Sequence, residues 1–167
     1  MQQIDCLYKK EGKKNNNIPT STQVYSFVPF SRRYWRGKLP AEHINFKILL
    51  SRLWFKLISM GKLTIYYTTD TNGVVTHTSY VVGKCFKFPF LNVDDYEIGP
   101  CVTHPDYRGQ GLFPMVLEYV TNTLGGRNFY MLVDPHNIAS VRGIEKAGFS
   151  RIGETQKTKF KRYVTIK

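Results

Sequence analysis

This chain is poor in acid. Against 24 Lys and Arg it carries only 12 Asp and Glu, a formal net charge of +12 over 167 residues. The shortage excludes an acidic, solvating chain and gives the surface a field that attracts polyanions. For the lysines near the two termini, a solvated basic face that serves solubility is a sufficient reading. Cysteine is scarce as well: Cys6, Cys85 and Cys101 are scattered and odd in number, which excludes a disulfide framework, and none has metal-ligand spacing. We expect reduced thiols in a cytoplasmic protein with no bound metal. Long apolar runs are missing, and Met1–Asp5 lacks the charged-then-apolar order of a leader, so no stable membrane insertion is expected. Homeodomain, zinc-finger and RNA-binding aromatic signatures are missing too, so no nucleic-acid partner is assigned to the charge. With no internal repeat or linker, residues 1–167 read as one domain.

What is present is the composition of a folded domain, 42% hydrophobic and 14% aromatic. The polar stretch Lys9–Asn17 reads as a loop, and Val24–Pro29 as a short strand. Ser31–Gly37 has no clear period. Apolar residues near helical spacing (Ile44, Ile48, Leu49, Leu53, Leu57, Ile58) make Ala41–Met60 the longest expected helix, with Gly61 as its stop and its apolar face on a sheet. Leu63–Thr69 and Val74–Gly83, joined by Asp70-Thr71-Asn72-Gly73, form a hairpin. Phe86–Leu91 is interrupted by Pro89, and a strand at Glu97–Val102 follows. Arg151–Ile166 reads as two strands joined near Thr155–Lys157.

Two blocks carry chemistry. In the first, Arg108-Gly109-Gln110-Gly111-Leu112-Phe113 follows the Glu97–Val102 strand and opens an apolar helix, Leu112–Leu124. Glycines let the backbone approach an anion, and the first N–H groups of a helix have no partner within it, so strand, glycine turn and helix start make a phosphate pocket. Arg108 adds a fixed charge. In the second, an extended run, Phe129–Val133, leads into Asn137-Ile138-Ala139-Ser140-Val141-Arg142-Gly143-Ile144-Glu145-Lys146-Ala147-Gly148-Phe149. Asn137 is a plausible cap, Gly148 a left-handed stop, and Ile138, Val141 and Ile144 make a buried stripe.

Together the blocks resemble the GCN5-related N-acetyltransferase superfamily (GNAT), over roughly the C-terminal half of the chain. The phosphate-turn motif matches at Arg108 and Gly111, with Phe113 in place of its last small residue. The cofactor-arm motif matches at Asn137, Ser140, Glu145, Lys146, Gly148 and Phe149. The resemblance implies an α/β fold, a mixed and mostly antiparallel sheet flanked by helices with a splayed parallel strand pair, in which 1–90 is the acceptor side and 91–167 the acetyl-CoA-binding half. It implies acetyl-CoA as cosubstrate: the backbone of Cys101, Val102 and Thr103 holds the pantetheine, Arg108, Gly109, Gln110, Gly111, Leu112 and Phe113 the pyrophosphate, and Asn137 and Ser140 the arm near the thiol.

Acetyl transfer needs a neutral attacking amine, hence a base near the acceptor and a proton donor near the departing sulfur. Glu97 is the candidate base, because Glu97…Cys101 resembles the Glu-x-x-x-Cys placement of the histone-acetylating branch; pairing with a basic residue is the equal structural alternative. The tyrosine that serves many members as acid is Ile144 here, so either Tyr130, Ser140 or a water protonates the thiolate, or it leaves without help. His77 and His104 are read as structural histidines, and Cys101 as a packing residue. The runs around Glu97–Gly109 and Asn137–Lys146 look like members linked to bacterial surface-polysaccharide synthesis, which implies a nucleotide-linked amino-sugar acceptor. A small amine, a protein amine and a catalytically weak CoA-binding module are the alternatives, and a homodimer is left open.

Overall fold

The computed structural model describes residues 4–13, 22–27, 50, 53, 54, 57, 62–158 and 162–166. Its strands are β1 (Ile4–Glu11), β2 (Val24–Phe27), β3 (Leu63–Thr69), β4 (Val75–Gly83), β5 (Tyr96–Thr103), β6 (Asn128–Val133), β7 (Ser150–Lys157) and β8 (Tyr163–Ile166). Helix α1 spans Leu112–Thr123 and α2 spans Ile138–Lys146. The strands form one sheet in the order β2-β3-β4-β5-β6-β1-β7-β8. Among these pairings only β5 with β6 is parallel.

That parallel pair is brief. Tyr96 faces Phe129 and Glu97 faces Tyr130, and beyond these two positions the strands are no longer paired. A strand–helix–strand crossover through α1 supplies the parallel direction. The sheet is covered on both faces. On the α1 side, Tyr66, Val81, Ile98, Phe129 and Met131 pack with Val116, Leu117 and Val120 of α1 and Ile144 of α2. On the other face Leu7, Leu63, Val82 and Tyr130 pack under Phe88 and Leu91 of the 84–95 segment. Alternate positions along one strand thus serve different cores, as the period of two requires.

Four expectations need correction. The stripe expected from Ile138, Val141 and Ile144 is buried only at Ile144, while Ile138 is 53% exposed. The loop expected from Lys9 gives way to β1 through Glu11, where Lys9 lies between Tyr130 and Ser150 in register. A strand hydrogen-bonded on both sides satisfies its backbone whatever its side chains, and Lys10 sends its ammonium to the carbonyl of Ala147 at 2.7 Å. The turn expected near Thr155–Lys157 is strand, because Thr155 pairs with Asp5 and Gln156 with Ile4; the connection to β8 comes later, with Thr158 donating to the Arg162 carbonyl. Most of the Ala41–Met60 helix, all of Ser31–Gly37, Val28–Pro29 and the loop beyond Lys13 lie outside the described residues. Leu50, Leu53, Trp54 and Leu57 are helical, but Leu53 and Leu57 are 41% and 66% exposed rather than packed on the sheet. The Asp70–Gly73 turn forms as its chemistry suggests: Asp70 Oδ1 accepts from the N–H groups of Asn72 and Val74.

Candidate active site

β5 departs from regular pairing at Gly99-Pro100. Val81 lies opposite Ile98 but Ser79 lies opposite Cys101, so β5 holds one residue more than β4 between these pairs. Such a bulge shifts the alternation. Tyr96, Ile98 and then Cys101 and Thr103 turn toward the α1 face, and Glu97 turns toward the opposite core.

Where β5 and β6 part, a cavity of about 640 Å³ opens. β5 contributes Cys101, Val102 and Thr103, the turn contributes Tyr107 to Gly109 and Gly111, α1 contributes Leu112 to Pro114, and α2 contributes Asn137, Ala139, Ser140, Gly143 and Lys146. Gly109 and Gly111 have φ of +77° and +76°, values that explain glycine at both positions. Gly111 is the N-cap of α1 and offers no side-chain cap, which leaves the N–H groups of the first turn free for an acceptor from outside. Pro114, lacking an N–H, sits where the helix requires none. Arg108 and Lys146 bring positive charge to the rim, and the Arg108 Nε donates to the Thr103 carbonyl at 3.4 Å. The Tyr107 hydroxyl donates to Asp70 Oδ2 at 2.7 Å and pins the turn to the β3–β4 hairpin.

α2 begins as expected: Asn137 Oδ1 accepts from Ser140 N at 3.2 Å. Phe113, large where the resembled motif is small, has a counterpart on α2. A Cβ added at Gly143 would lie 2.6 Å from the Phe113 ring, so the missing side chain at 143 makes room for the extra one at 113.

The residues expected at the site separate into two groups. Cys101, Val102, Thr103, Arg108, Gly109, Gly111, Leu112, Phe113, Asn137 and Ser140 converge on the cavity. Gln110 turns its amide back to the Asp106 carbonyl and does not line it. Glu97 and Tyr130 face each other across the last paired rung of β5 and β6, outside the cavity lining. Glu97 is buried, its Oε2 has no hydrogen-bond partner among the described residues, and burial raises its pKa to about 8 against the opposing pull of Lys87. A Cβ on Gly99 would lie 2.7 Å from Glu97 Oε1, so the carboxylate lies along the strand over a residue without a side chain, in the direction of Cys101. Tyr130 packs edge-on against Phe90.

Beyond the residues expected there, the cavity is lined by His77, Tyr107, Pro114, Ala139, Gly143 and Lys146. His77 was the hardest to find, because its position opposite Thr103 depends on the bulge two rungs away. The signal available was the histidine itself in a strand adjoining the cofactor strand.

A sheet opened at one parallel pair, with a glycine turn feeding a helix at the opening, defines a GNAT-like acyltransferase architecture. Residues 51–149 match the profile of the Acetyltransferase (GNAT) family, and the chain belongs to that family. Its fold is shared by an acetyltransferase of the GNAT family from Colwellia psychrerythraea, with a TM-score of 0.60 at 14% identity over 92% of this chain and 55% of that one. A GCN5-related N-acetyltransferase from Sphaerobacter thermophilus gives 0.57 at 14% identity over 93% of this chain and 50% of that one. The chain therefore spans about half the length of these solved structures. No curated protein sequence matches it.

Proposed function

We propose that the chain is an acetyl-CoA-dependent N-acetyltransferase that moves the acetyl group to a primary amine by direct attack on the thioester. The observation that carries this reading is the convergence, on one cavity, of unpaired β5 backbone, an uncapped α1 N-terminus behind two positive-φ glycines, and the rim charges Arg108 and Lys146. A dianionic pyrophosphate suits the helix start, and an extended amide-bearing arm suits strand backbone that has lost its partner. Asn137 and Ser140 flank the arm.

Glu97 is the proposed base. A carboxylate with a pKa of about 8 and an unpaired oxygen takes a proton from an ammonium or a bridging water more readily than an ordinary glutamate does. Ser140 in the cavity and Tyr130 beside Glu97 carry hydroxyls that could serve as acids. For the acceptor we propose an amino sugar in nucleotide-linked form, whose diphosphate would be drawn by the +12 charge; a simple amine or a protein amine uses the same chemistry without that attraction.

Thiol release from acetyl-CoA, assayed against a panel of amino-sugar nucleotides, free amino sugars and small amines, tests the proposal. Turnover with one class assigns the acceptor. A protein that is stabilised by acetyl-CoA yet releases no thiol with any of them is a CoA-binding module and not a transferase.

A further inference from the structure

Four polar side chains on β4 and β5 form one hydrogen-bonded chain along the cavity wall. Thr103 Oγ1 lies 2.7 Å from His77 Nδ1, His77 Nε2 lies 2.8 Å from Ser79 Oγ, and Ser79 Oγ donates to Cys101 Sγ at 3.2 Å. The donor at Ser79 fixes the rest of the network: its single O–H goes to sulfur, so it accepts from Nε2–H, and the bare Nδ1 accepts from the Thr103 hydroxyl. Every bond then points the same way, from Thr103 to Cys101. Thr103, His77 and Cys101 all line the cavity, while Ser79 is wholly buried and closes the chain from behind. The His77 ring also rests against Phe113, centroids 5.8 Å apart.

We propose that Thr103, His77, Ser79 and Cys101 are a proton wire that protonates the sulfur of the departing CoA, replacing the phenol that Ile144 does not supply. The proposal rests on the acetyl-CoA reading of the cavity. As the tetrahedral adduct collapses, its C–S bond breaks and the electron pair stays on the CoA sulfur. The Cys101 S–H proton passes to that sulfur; Ser79 reprotonates Cys101, His77 Nε2–H reprotonates Ser79, and Thr103 gives its proton to Nδ1. Water in the cavity refills Thr103, and the proton that Glu97 takes from the amine returns to the same solvent, so the sum is amine plus thioester giving amide plus thiol. Once CoA has left, cavity water at the Cys101 end supplies a proton that runs back through Ser79 to Nε2, while Nδ1 returns its proton through Thr103 to water, which restores the first tautomer.

The electrostatics suit a wire rather than a store. Burial pulls the His77 pKa down to about 4, so at neutral pH the ring holds one proton and takes a second only as it gives the first away. Burial also pushes the Cys101 thiol up to about 12, which keeps it protonated at neutral pH but makes it a weak acid, so it gives its proton only in concert with resupply from Ser79. Ile144, by contrast, is 1% exposed within the core and has no proton to offer.

The test uses the full chain, acetyl-CoA and hydroxylamine as probe acceptor, a nucleophile already neutral at neutral pH that needs no base. His77→Gln keeps hydrogen-bonding groups but cannot change tautomer; Thr103→Val and Cys101→Ala interrupt the two ends. Each is expected to lower kcat roughly 100-fold, the usual scale of general acid catalysis, with the acetyl-CoA thermal shift and KM retained and the solvent deuterium isotope effect on kcat diminished. Wild-type kcat in His77→Gln, in a protein still stabilised by acetyl-CoA, overturns the wire alone. A wild-type melting temperature unmoved by acetyl-CoA overturns the reading of the cavity and the wire with it.

Discussion

At the scale of single residues, Glu97 joins stability to activity. Its pKa in the fold is raised to about 8 from 4.5, so between those values the native state binds a proton that the unfolded chain has lost. Stability from this group is therefore complete below about 4.5 and is lost as pH rises through about 8. Glu97→Gln, fixed in the neutral form, is expected to melt progressively higher than the wild type as pH is raised across that window, read from paired thermal melts; a constant difference contradicts the assignment. With Glu97 as the proposed base, activity is expected to run the other way, since only the carboxylate accepts a proton. We expect kcat/KM for an amine to rise with pH through about 8, and Glu97→Gln to lower it by 10² to 10⁴-fold without changing the acetyl-CoA thermal shift. Gly99 gives an independent check. A methyl at 99 would stand 2.7 Å from Oε1, so Gly99→Ala displaces the carboxylate and should reduce kcat more than it weakens acetyl-CoA binding.

Among the elements, the α1 start and the α2 face are matched pieces. Gly111→Ala places a side chain at φ +76°, a strain of about 1–2 kcal/mol although nothing lies within reach of the new methyl, so the loss should appear in both the melting temperature and acetyl-CoA binding. Gly143→Ala acts through contact instead: its methyl meets the Phe113 ring at 2.6 Å and drives it toward His77 and the cavity. Binding of acetyl-CoA should weaken in Gly143→Ala and recover in Gly143→Ala combined with Phe113→Leu, and the coupling in that double-mutant cycle is the measurement. The turn, the α1 start and the α2 cap were legible in the sequence because each is a local signal: glycines at fixed offsets, an Asn cap, apolar residues at helical spacing. β1 was not legible, since a strand paired on both sides by β6 and β7 tolerates Lys9, Lys10 and Glu11 in a run that reads as loop. Nor was the His77–Cys101 chain, which exists only after one extra residue in β5 brings positions 77 and 79 opposite 103 and 101. Glu97 was legible as a residue but not in its orientation, because the same bulge, by shifting the alternation, leaves Glu97 on the opposite face of the sheet from Cys101.

For the molecule as a whole, the excess of positive charge sets how binding depends on salt. With a net +12 and Arg108 and Lys146 at the cavity rim, part of the attraction for a phosphorylated ligand is long-range and screened by ions, whereas the first-turn N–H groups and the β5 backbone act at contact. The Debye length falls from about 10 Å at 0.1 M to about 3 Å at 1 M, which removes the former and leaves most of the latter. Acetyl-CoA at about a hundred times its dissociation constant should add on the order of 2.7 kcal/mol, or roughly 5–10 °C for a chain of this size. Raising salt to about 1 M at the same ligand concentration should shrink that shift without abolishing it. Arg108→Ala should start from a smaller shift and lose less of it to salt, since one of the screened charges is already gone. A shift indifferent to salt in both proteins would mean that contact alone holds the ligand, and the basic surface would then have no part in recruiting acetyl-CoA or a nucleotide-linked acceptor.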